Sequence, residues 1–495
     1  MPKKKRPTKP ATSEMSKDEI DSLADEVERL VDEELGDDAS FEEYEKAVMR
    51  ITNEVARRRL QDKLQKLSDG YGPVLRIDHN NDWHGWREGT AFEYRQHLPG
   101  EVAYHSLVGS LWVRRFTYRE NMRNGATYVP LELDAGLMEK MTPAMAKAVA
   151  LGTAQLPARQ LHELLTVAGR CPPSYSTVSR SGRDLGAYAL AANDEIEPLV
   201  REAETVPEHA IAVVVGLDRT SVLMRKNGQF LSIFSGFRDL RRSRPRQTSG
   251  PVDGVEWRLD YVGTVYFADA EGERIEGRQY RLPSDHDPEE LVERMLADVR
   301  HAKASRPQLR VVLIQDGAPE LWSVMRTALS NEPSVRKWDE ALDWYHLDER
   351  LSECTKLFRT AESSREALRQ RWHELFFEKA DGAERVLRSL AQHAKRLSKP
   401  DREIVDEHIA YLRKRRDLTR YRRLRRRGLP IGSGVTEAAC KSLIGVRAKR
   451  GGQHWTQRGL SAALHLRSIA ESGRFDSFWT HFSNRYRADS IVATH

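Results

Sequence analysis

The spacing of apolar residues changes several times along the chain, and each change predicts a different kind of element. Ile20, Leu23, Val27, Leu30, Val31 and Leu35 recur at the helical interval behind Ser16-Lys17-Asp18-Glu19, which has the form of a capping box. A second box, Ser40-Phe41-Glu42-Glu43, opens another helix carrying Tyr44, Val48, Ile51, Val55 and Leu60, and Gly36-Asp37-Asp38 joins the two into a helical hairpin. Such a hairpin is either a satellite bundle or a dimerisation arm. Between Pro73 and Val129 the interval falls to two, clearest in Val102-Ala103-Tyr104-His105-Ser106-Leu107 and Leu111-Trp112-Val113-Arg114-Arg115-Phe116-Thr117-Tyr118. This predicts a small β-rich module with Val108-Gly109-Ser110 as its turn. Arg114, Arg115 and Arg119 then either contact phosphate or form a solvated strand face.

Residues 142–195 return to the helical interval. One helix at Pro157-Ala158-Arg159-Gln160-Leu161-His162-Glu163-Leu164-Leu165, a break at Gly169-Arg170-Cys171-Pro172-Pro173 and a second helix from Ser174 have the layout of a helix-turn-helix. Thr177 and Arg180, at the start of the second helix, are the residue types that meet base edges and phosphates. Two ordinary packed helices are the plain alternative.

Two continuous apolar runs follow, Ala210-Ile211-Ala212-Val213-Val214-Val215-Gly216-Leu217-Asp218-Arg219-Thr220 and Leu309-Arg310-Val311-Val312-Leu313-Ile314-Gln315-Asp316-Gly317. Short β-branched runs read as buried strands, and an acid at the C-terminal end of such a strand lies at the sheet edge where ligands usually bind. Val222-Leu223-Met224-Arg225 and residues 255–267 continue as strands, Gly272 marks a turn before Arg274-Ile275, and Ala341-Leu342-Asp343-Trp344-Tyr345-His346-Leu347 is a candidate fifth strand. A helix capped by Asp287, with Pro288 at its first position, crosses from one acid-bearing segment to the next, so the Asp218 and Asp316 strands can lie parallel and adjacent.

Residues 349–424 read as helix throughout and end in the densest positive charge of the chain. Arg413, Lys414, Arg415, Arg416, Arg420, Arg422, Arg423, Arg425, Arg426 and Arg427 are interrupted only by Asp417, with Tyr411 and Tyr421 interleaved. A solvated helix face is the ordinary reading of a charge run; contact with a phosphate backbone is the sharper one. Pro430-Ile431-Gly432-Ser433-Gly434 then breaks the helix, and it restarts with Glu437 in its first turn.

The 495 residues suffice for about three domains. The net charge of +6 hides an acidic stretch at 14–45 and basic blocks elsewhere, which matter more to an anionic partner than the sum. Lys3, Lys4, Lys5 and Arg6 among prolines predict a disordered basic tail. Widely separated Cys171, Cys354 and Cys440 indicate neither a disulfide framework nor a zinc site. No apolar run reaches the ~20 residues of a membrane span, so a soluble, cytoplasmic protein with no membrane partner is expected. The expected divisions are 1–15 tail, 16–70 hairpin, 71–135 β-rich module, 136–205 helical segment, 206–348 core, 349–430 helical insertion, 431–480 second part of the core and 481–495 tail.

Asp218, Asp316 and Glu437 together suggest a site for Mg²⁺ or Mn²⁺, because phosphodiester cleavage by two hard ions needs carboxylates converging from different elements. Each also has a plainer reading. The aspartates can simply end strands, and Glu437 can offset the helix N-terminus and pair with Lys441.

With these residues in view the sequence resembles bacterial insertion-sequence transposases of the DDE type, nearest the Kra-type group, over roughly residues 100–480. The resemblance rests on Val215-Gly216-Leu217-Asp218-Arg219-Thr220, Ile314-Gln315-Asp316-Gly317 and, most specifically, Gly432-Ser433-Gly434-Val435-Thr436-Glu437-Ala438-Ala439-Cys440-Lys441-Ser442-Leu443. It implies a multidomain α/β chain whose RNase H-like mixed sheet carries a helical insertion before Glu437. It further implies double-stranded DNA as partner, a homodimer or higher oligomer, and nicking followed by strand transfer with no covalent protein–DNA intermediate. Asp343 and His346 resemble a supporting motif, and Lys441, Arg447, Lys449 and Arg450 are candidates for the family's basic residue after the acid. The paired cysteines of many relatives are missing from Glu120-Asn121-Met122-Arg123-Asn124-Gly125, so no zinc is expected. An RNase H-like nuclease or resolvase, and a catalytically inactive transposase-derived DNA-binding regulator, are the rival functions.

Overall fold

The computed structural model describes residues 17–36, 38–78, 91–120, 127–225, 254–275, 279–281, 288–358 and 361–492. The chain is mixed α/β and divides into two compact units, residues 1–149 with 157–180 and 490–495, and residues 150–156 with 181–489. Residues 206–480 therefore share one unit, and the helix-turn-helix-like stretch at 157–180 falls in the other. The basic tail, Ser16, Asp287 and most of the cysteine-free 120–125 stretch lie outside the described residues.

In the first unit α1 (Lys17–Glu34) and α2 (Phe41–Asp69) form the hairpin. Ser40 caps α2: its Oγ accepts the Glu43 N–H at 3.3 Å while the Glu43 carboxylate accepts the Ser40 N–H at 2.8 Å. β1 (Val74–Asp78), β2 (Ala91–Ser106), β3 (Gly109–Glu120) and β4 (Thr127–Tyr128) make an antiparallel sheet in chain order. Leu64 of α2 joins Tyr104, Leu111 and Val113 in one core. The β2–β3 turn is Leu107-Val108, a residue earlier than expected, because the Ser106 hydroxyl accepts from Val108 N and donates to Gly109 O, and Gly109 opens β3 at φ 117°. Arg115 turns inward onto Glu132 at 3.5 Å, leaving Arg114 and Arg119 on the exposed side. Short α3 (Pro130–Asp134) and α5 (Ala158–Val167) also belong to this unit, α4 (Pro143–Gln155) and α6 (Tyr175–Ala191) each run from it into the second, and α7 (Asn193–Glu202) belongs to the second.

The second unit is built on a five-stranded sheet of order β7-β6-β5-β8-β9: β5 (Ala212–Arg225), β6 (Val255–Ala268), β7 (Gln279–Arg281), β8 (Arg310–Gln315) and β9 (Trp338–Leu342). β7, β6 and β5 pair antiparallel, whereas β5–β8 and β8–β9 pair parallel. The helix α8 (Pro288–Ser305) makes the crossover from β7 to β8. With α9 (Pro319–Asn331) it buries Leu291, Met295, Leu321 and Met325 against Val213, Val215, Leu217, Val311 and Leu313. The alternate residues Ala212, Val214, Val312 and Ile314 face Leu424, Leu429, Ile431 and Val435 on the opposite side.

Three expectations for this sheet are corrected. First, β5 does not stop at Asp218: it continues to Arg225, paired with β6 along its whole length, so Val222–Arg225 is no separate strand. Second, the fifth strand ends at Leu342. Trp344 begins α10 (Trp344–Phe358), because the Asp343 carboxylate accepts the Tyr345 N–H at 3.1 Å and caps the new helix. Third, Arg274 makes only an isolated bridge to Ala268, and the edge strand is β7.

The insertion comprises α10, α11 (Glu362–Glu378), α12 (Gly382–Ala394), α13 (Lys399–Arg415) and short α14 (Tyr421–Arg425), around a core of Trp344, Trp372, Phe376, Leu390, Ile409 and Tyr421. Next come α15 (Gly434–Ala439), a π-helical turn at Cys440–Gly445, α16 (Val446–Ala448) and α17 (Gln457–Glu471). The expected tail from 481 is instead part of α18 (Phe475–Val492), held by buried Phe482 and Tyr486 against Tyr188.

Candidate active site

Asp218 lies within β5, and Asp316 lies one residue past the end of the neighbouring strand β8. The parallel ladder between β5 and β8 ends at the pair Val215 and Leu313, and each acid stands three positions beyond its own member of that pair. By strand alternation both belong to the face of Ala212, Val214, Val312 and Ile314. Past the ladder, Gln315 holds β8 to β5 by donating its side-chain Nε2 to Leu217 O at 3.2 Å. Asp218 is thus interior to a strand yet at the sheet's opening, since β5 and β6 run on where β8 stops.

Glu437 arrives on α15 from the same face. Gly216, the even-numbered neighbour of Asp218, admits the helix: a Cβ there would lie 2.4 Å from Thr436 Oγ1 and 2.9 Å from Ile314 O. Thr436 Oγ1 in turn meets Thr264 Oγ1 of β6 at 2.7 Å in a buried contact. One residue later in the helix, Glu437 is half-exposed and pairs with Lys441 at 2.5 Å.

The charges of Asp316 and Glu437 both reach Asp218. Burial pushes the Asp218 carboxyl above its ordinary value, and the charges of Asp316 and Glu437 add to that rise. The Arg219 N–H at 2.7 Å and the Cys440 thiol at 3.2 Å donate to Asp218 and oppose it. Burial, with the Asp218 charge, also holds the Cys440 thiol well above the usual range. Asp316 Oδ1 accepts the Ala318 N–H at 3.0 Å, and its carbonyl accepts Trp322 Nε1 at 2.6 Å, fixing the turn into α9.

Asp343 and His346 lie behind this cluster. Buried Asp343 also accepts the Ser433 N–H at 2.9 Å, and its own N–H donates to Gln315 O at 2.8 Å. It therefore links the end of β8 to the loop that launches α15. His346, on the first turn of α10, accepts from Arg350 Nε at 3.4 Å and lies near the Tyr411 ring.

The candidate DNA contacts fare differently. Lys449 is exposed and donates to Thr220, two residues past Asp218, so among the basic candidates it stands nearest that acid's strand. Lys441 is exposed on Glu437, and Arg450 Nε donates to Val446 O at 2.8 Å. Arg447 is corrected: it is buried, donates to Thr153 O at 3.1 Å and stacks 4.7 Å over Trp455, so its guanidinium is used inside the fold. Arg422 is half-buried on α14, while Arg423 is exposed and faces Asp339 at 4.0 Å. Thr177 shares the Ser174 hydroxyl that caps α6, and Arg180 is exposed.

Gln315, Thr264, Thr436 and Cys440 were not among the sequence candidates, and Tyr411 was named only within the basic run. Cys440 follows Glu437 by three positions, a spacing that puts both near one helix face. Thr264 carries no such local signal.

The donor set fits hard divalent ions in kind, being three carboxylates from separate elements, two of whose charges add to the rise of the third, Asp218. Among the described residues no three His, Cys, Asp or Glu side chains stand close enough together to hold an ion as placed. Glu437 would have to leave Lys441 to join such a set. Among the described residues no helix is long and apolar enough to cross a membrane. No protein-family model matches the chain, and no curated protein matches it.

Proposed function

We propose that the chain is a DNA transposase of the DDE type, with an RNase H-like core in the second unit and double-stranded DNA as substrate. The observation that carries this reading is the placement of Asp218 in β5 and of Asp316 just past the end of the parallel strand β8, each three positions beyond the last paired residues, with Glu437 brought in on the helix that packs over Gly216. The five-stranded mixed sheet, and the helices α10 to α14 placed between Asp316 and Glu437, support it.

Asp218, Asp316 and Glu437 would hold Mg²⁺ or Mn²⁺. Such ions neutralise phosphate charge and lower the pKa of a bound hydroxyl. The chain's own residues orient the carboxylates. Asp343 sets the start of α15, Gln315 sets the end of β8, and the Cys440 thiol and Arg219 N–H fix the two oxygens of Asp218. Lys449 adds positive charge where a DNA strand would pass. Water attacks a phosphodiester at the element end and frees a 3′-hydroxyl. That hydroxyl then displaces a 3′-oxygen in target DNA, so one phosphodiester forms as another breaks. Two ends must be joined, so the active species is a homodimer or larger.

A plasmid carrying the DNA that borders the coding region tests this. Wild type is expected to nick it in Mg²⁺ and not in EDTA, and Asp218→Asn is expected to lose the nicking. Nicking retained by Asp218→Asn rejects the assignment.

A further inference from the structure

Beside Asp316 the helical insertion presents a cationic cluster that the three carboxylates do not use. The Arg350 guanidinium of α10 lies 4.0 Å from the centre of the Tyr411 ring, and that of Arg415, one turn along α13, lies 4.1 Å from the same ring. Arg415 also donates to the Gly317 carbonyl, the residue after Asp316. The Tyr411 hydroxyl is buried without a hydrogen bond and presses on Gly317, where a Cβ would lie 2.3 Å from it. Only glycine after Asp316 permits that approach.

Several half-buried arginines of this unit are neutralised: Arg201 by Asp298 at 2.8 Å, Arg294 by Glu197 at 3.1 Å and Arg369 by Asp348 at 2.6 Å. Arg350 and Arg415 have no carboxylate partner among the described residues, although two guanidiniums on one ring repel each other. A planar guanidinium is matched by two oxygens of a phosphate, and a buried hydroxyl without a partner supplies a third donor. We infer that Arg350, Arg415 and the Tyr411 hydroxyl form a subsite for one backbone phosphate of the DNA strand held at Asp316. The inference rests on the DNA-processing function proposed above. It assigns the insertion a second role: besides its basic end, it grips the strand next to the acid.

The test is DNA affinity as a function of salt, measured in EDTA with a short duplex taken from the border of the coding region. Loss of one phosphate contact lowers the slope of log affinity against log salt by about 0.9. Arg350→Gln and Arg415→Gln are each expected to lower it by about that amount and to weaken binding roughly tenfold at moderate salt. Unchanged slopes in folded glutamine variants overturn the inference. A second measurement uses wild type alone, so a variant that fails to fold does not stall the test. The duplex is expected to protect Arg350 and Arg415 from phenylglyoxal, and modification unaffected by DNA overturns the inference. Slope change and protection in a protein that cuts no DNA in Mg²⁺ would leave the subsite standing and remove the catalytic reading.

Discussion

The hydroxyls of Thr264 and Thr436 meet at 2.7 Å over Gly216, and this buried contact fixes the helix that carries Glu437 to the sheet that carries Asp218. Gly216→Ala places a methyl group 2.4 Å from Thr436 Oγ1, with the Ile314 carbonyl close behind. Overpacking of this kind costs roughly 1–3 kcal/mol. The expected outcome is a lower urea midpoint together with loss of DNA cleavage, because α15 must shift. Thr436→Ser, which keeps the hydroxyl, is expected to retain both; equal loss in the two variants would show that the hydroxyl contact is irrelevant.

Asp218 gives a pH and stability prediction whose sign is set by its raised carboxyl. When the folded value lies above the unfolded one, ionisation opposes folding. Stability is then fullest below the ordinary carboxyl range and declines as pH rises through the raised value. Asp218→Asn removes that decline. In metal-free buffer at neutral pH its melting midpoint is expected to exceed that of wild type by roughly 2 °C, while cleavage is abolished. A lower midpoint for the variant refutes the repulsion among the acids.

Metal binding to the native state should appear as added stability. Ligand at about 100 times its Kd contributes about 2.7 kcal/mol. Mg²⁺ is therefore expected to raise the wild-type midpoint in calorimetry, and to leave Asp316→Asn and Glu437→Gln unmoved. Equal stabilisation of all three proteins would place the ion elsewhere.

Arg447 and Lys449 are two residues apart and should behave oppositely. Arg447→Ala strands the Thr153 carbonyl and removes the stacking on Trp455, at a cost of roughly 2–3 kcal/mol. Although burial draws its guanidinium down to about 10, it stays charged at neutral pH. Lys449→Ala, at an exposed position, is expected to leave the midpoint unchanged and to reduce cleavage about tenfold. Chemical denaturation and a cleavage time course on both variants separate the roles.

Much of this arrangement was legible in the sequence because it is local. The apolar runs before Asp218 and Asp316 are continuous and β-branched, and the glycine-rich break before Glu437 announces a new helix. The course of β5 past Asp218 was hidden, because Arg219-Thr220-Ser221 is polar and its partner β6 begins only at Val255. Asp343 was read within a strand because Trp344 and Leu347 are apolar; its capping hydrogen bonds come from Tyr345 and from distant Ser433. Arg447 looked like a basic surface residue, because nothing local signals burial against Thr153 and Trp455. What was missed is tertiary in origin, and the same is true of the Thr264–Thr436 contact and the Tyr411 cluster.

The most direct test of the shared role of Asp218, Asp316 and Glu437 is strand joining by a pre-cut duplex with a free 3′-hydroxyl at the element end, mixed with plasmid target in Mg²⁺. Wild type is expected to join the duplex to the plasmid, and Asp218→Asn, Asp316→Asn and Glu437→Gln are each expected to lose joining at least a thousandfold, on the order of 4 kcal/mol in the transition state, while still binding the duplex. Joining by any of the three variants at the wild-type rate contradicts the assignment.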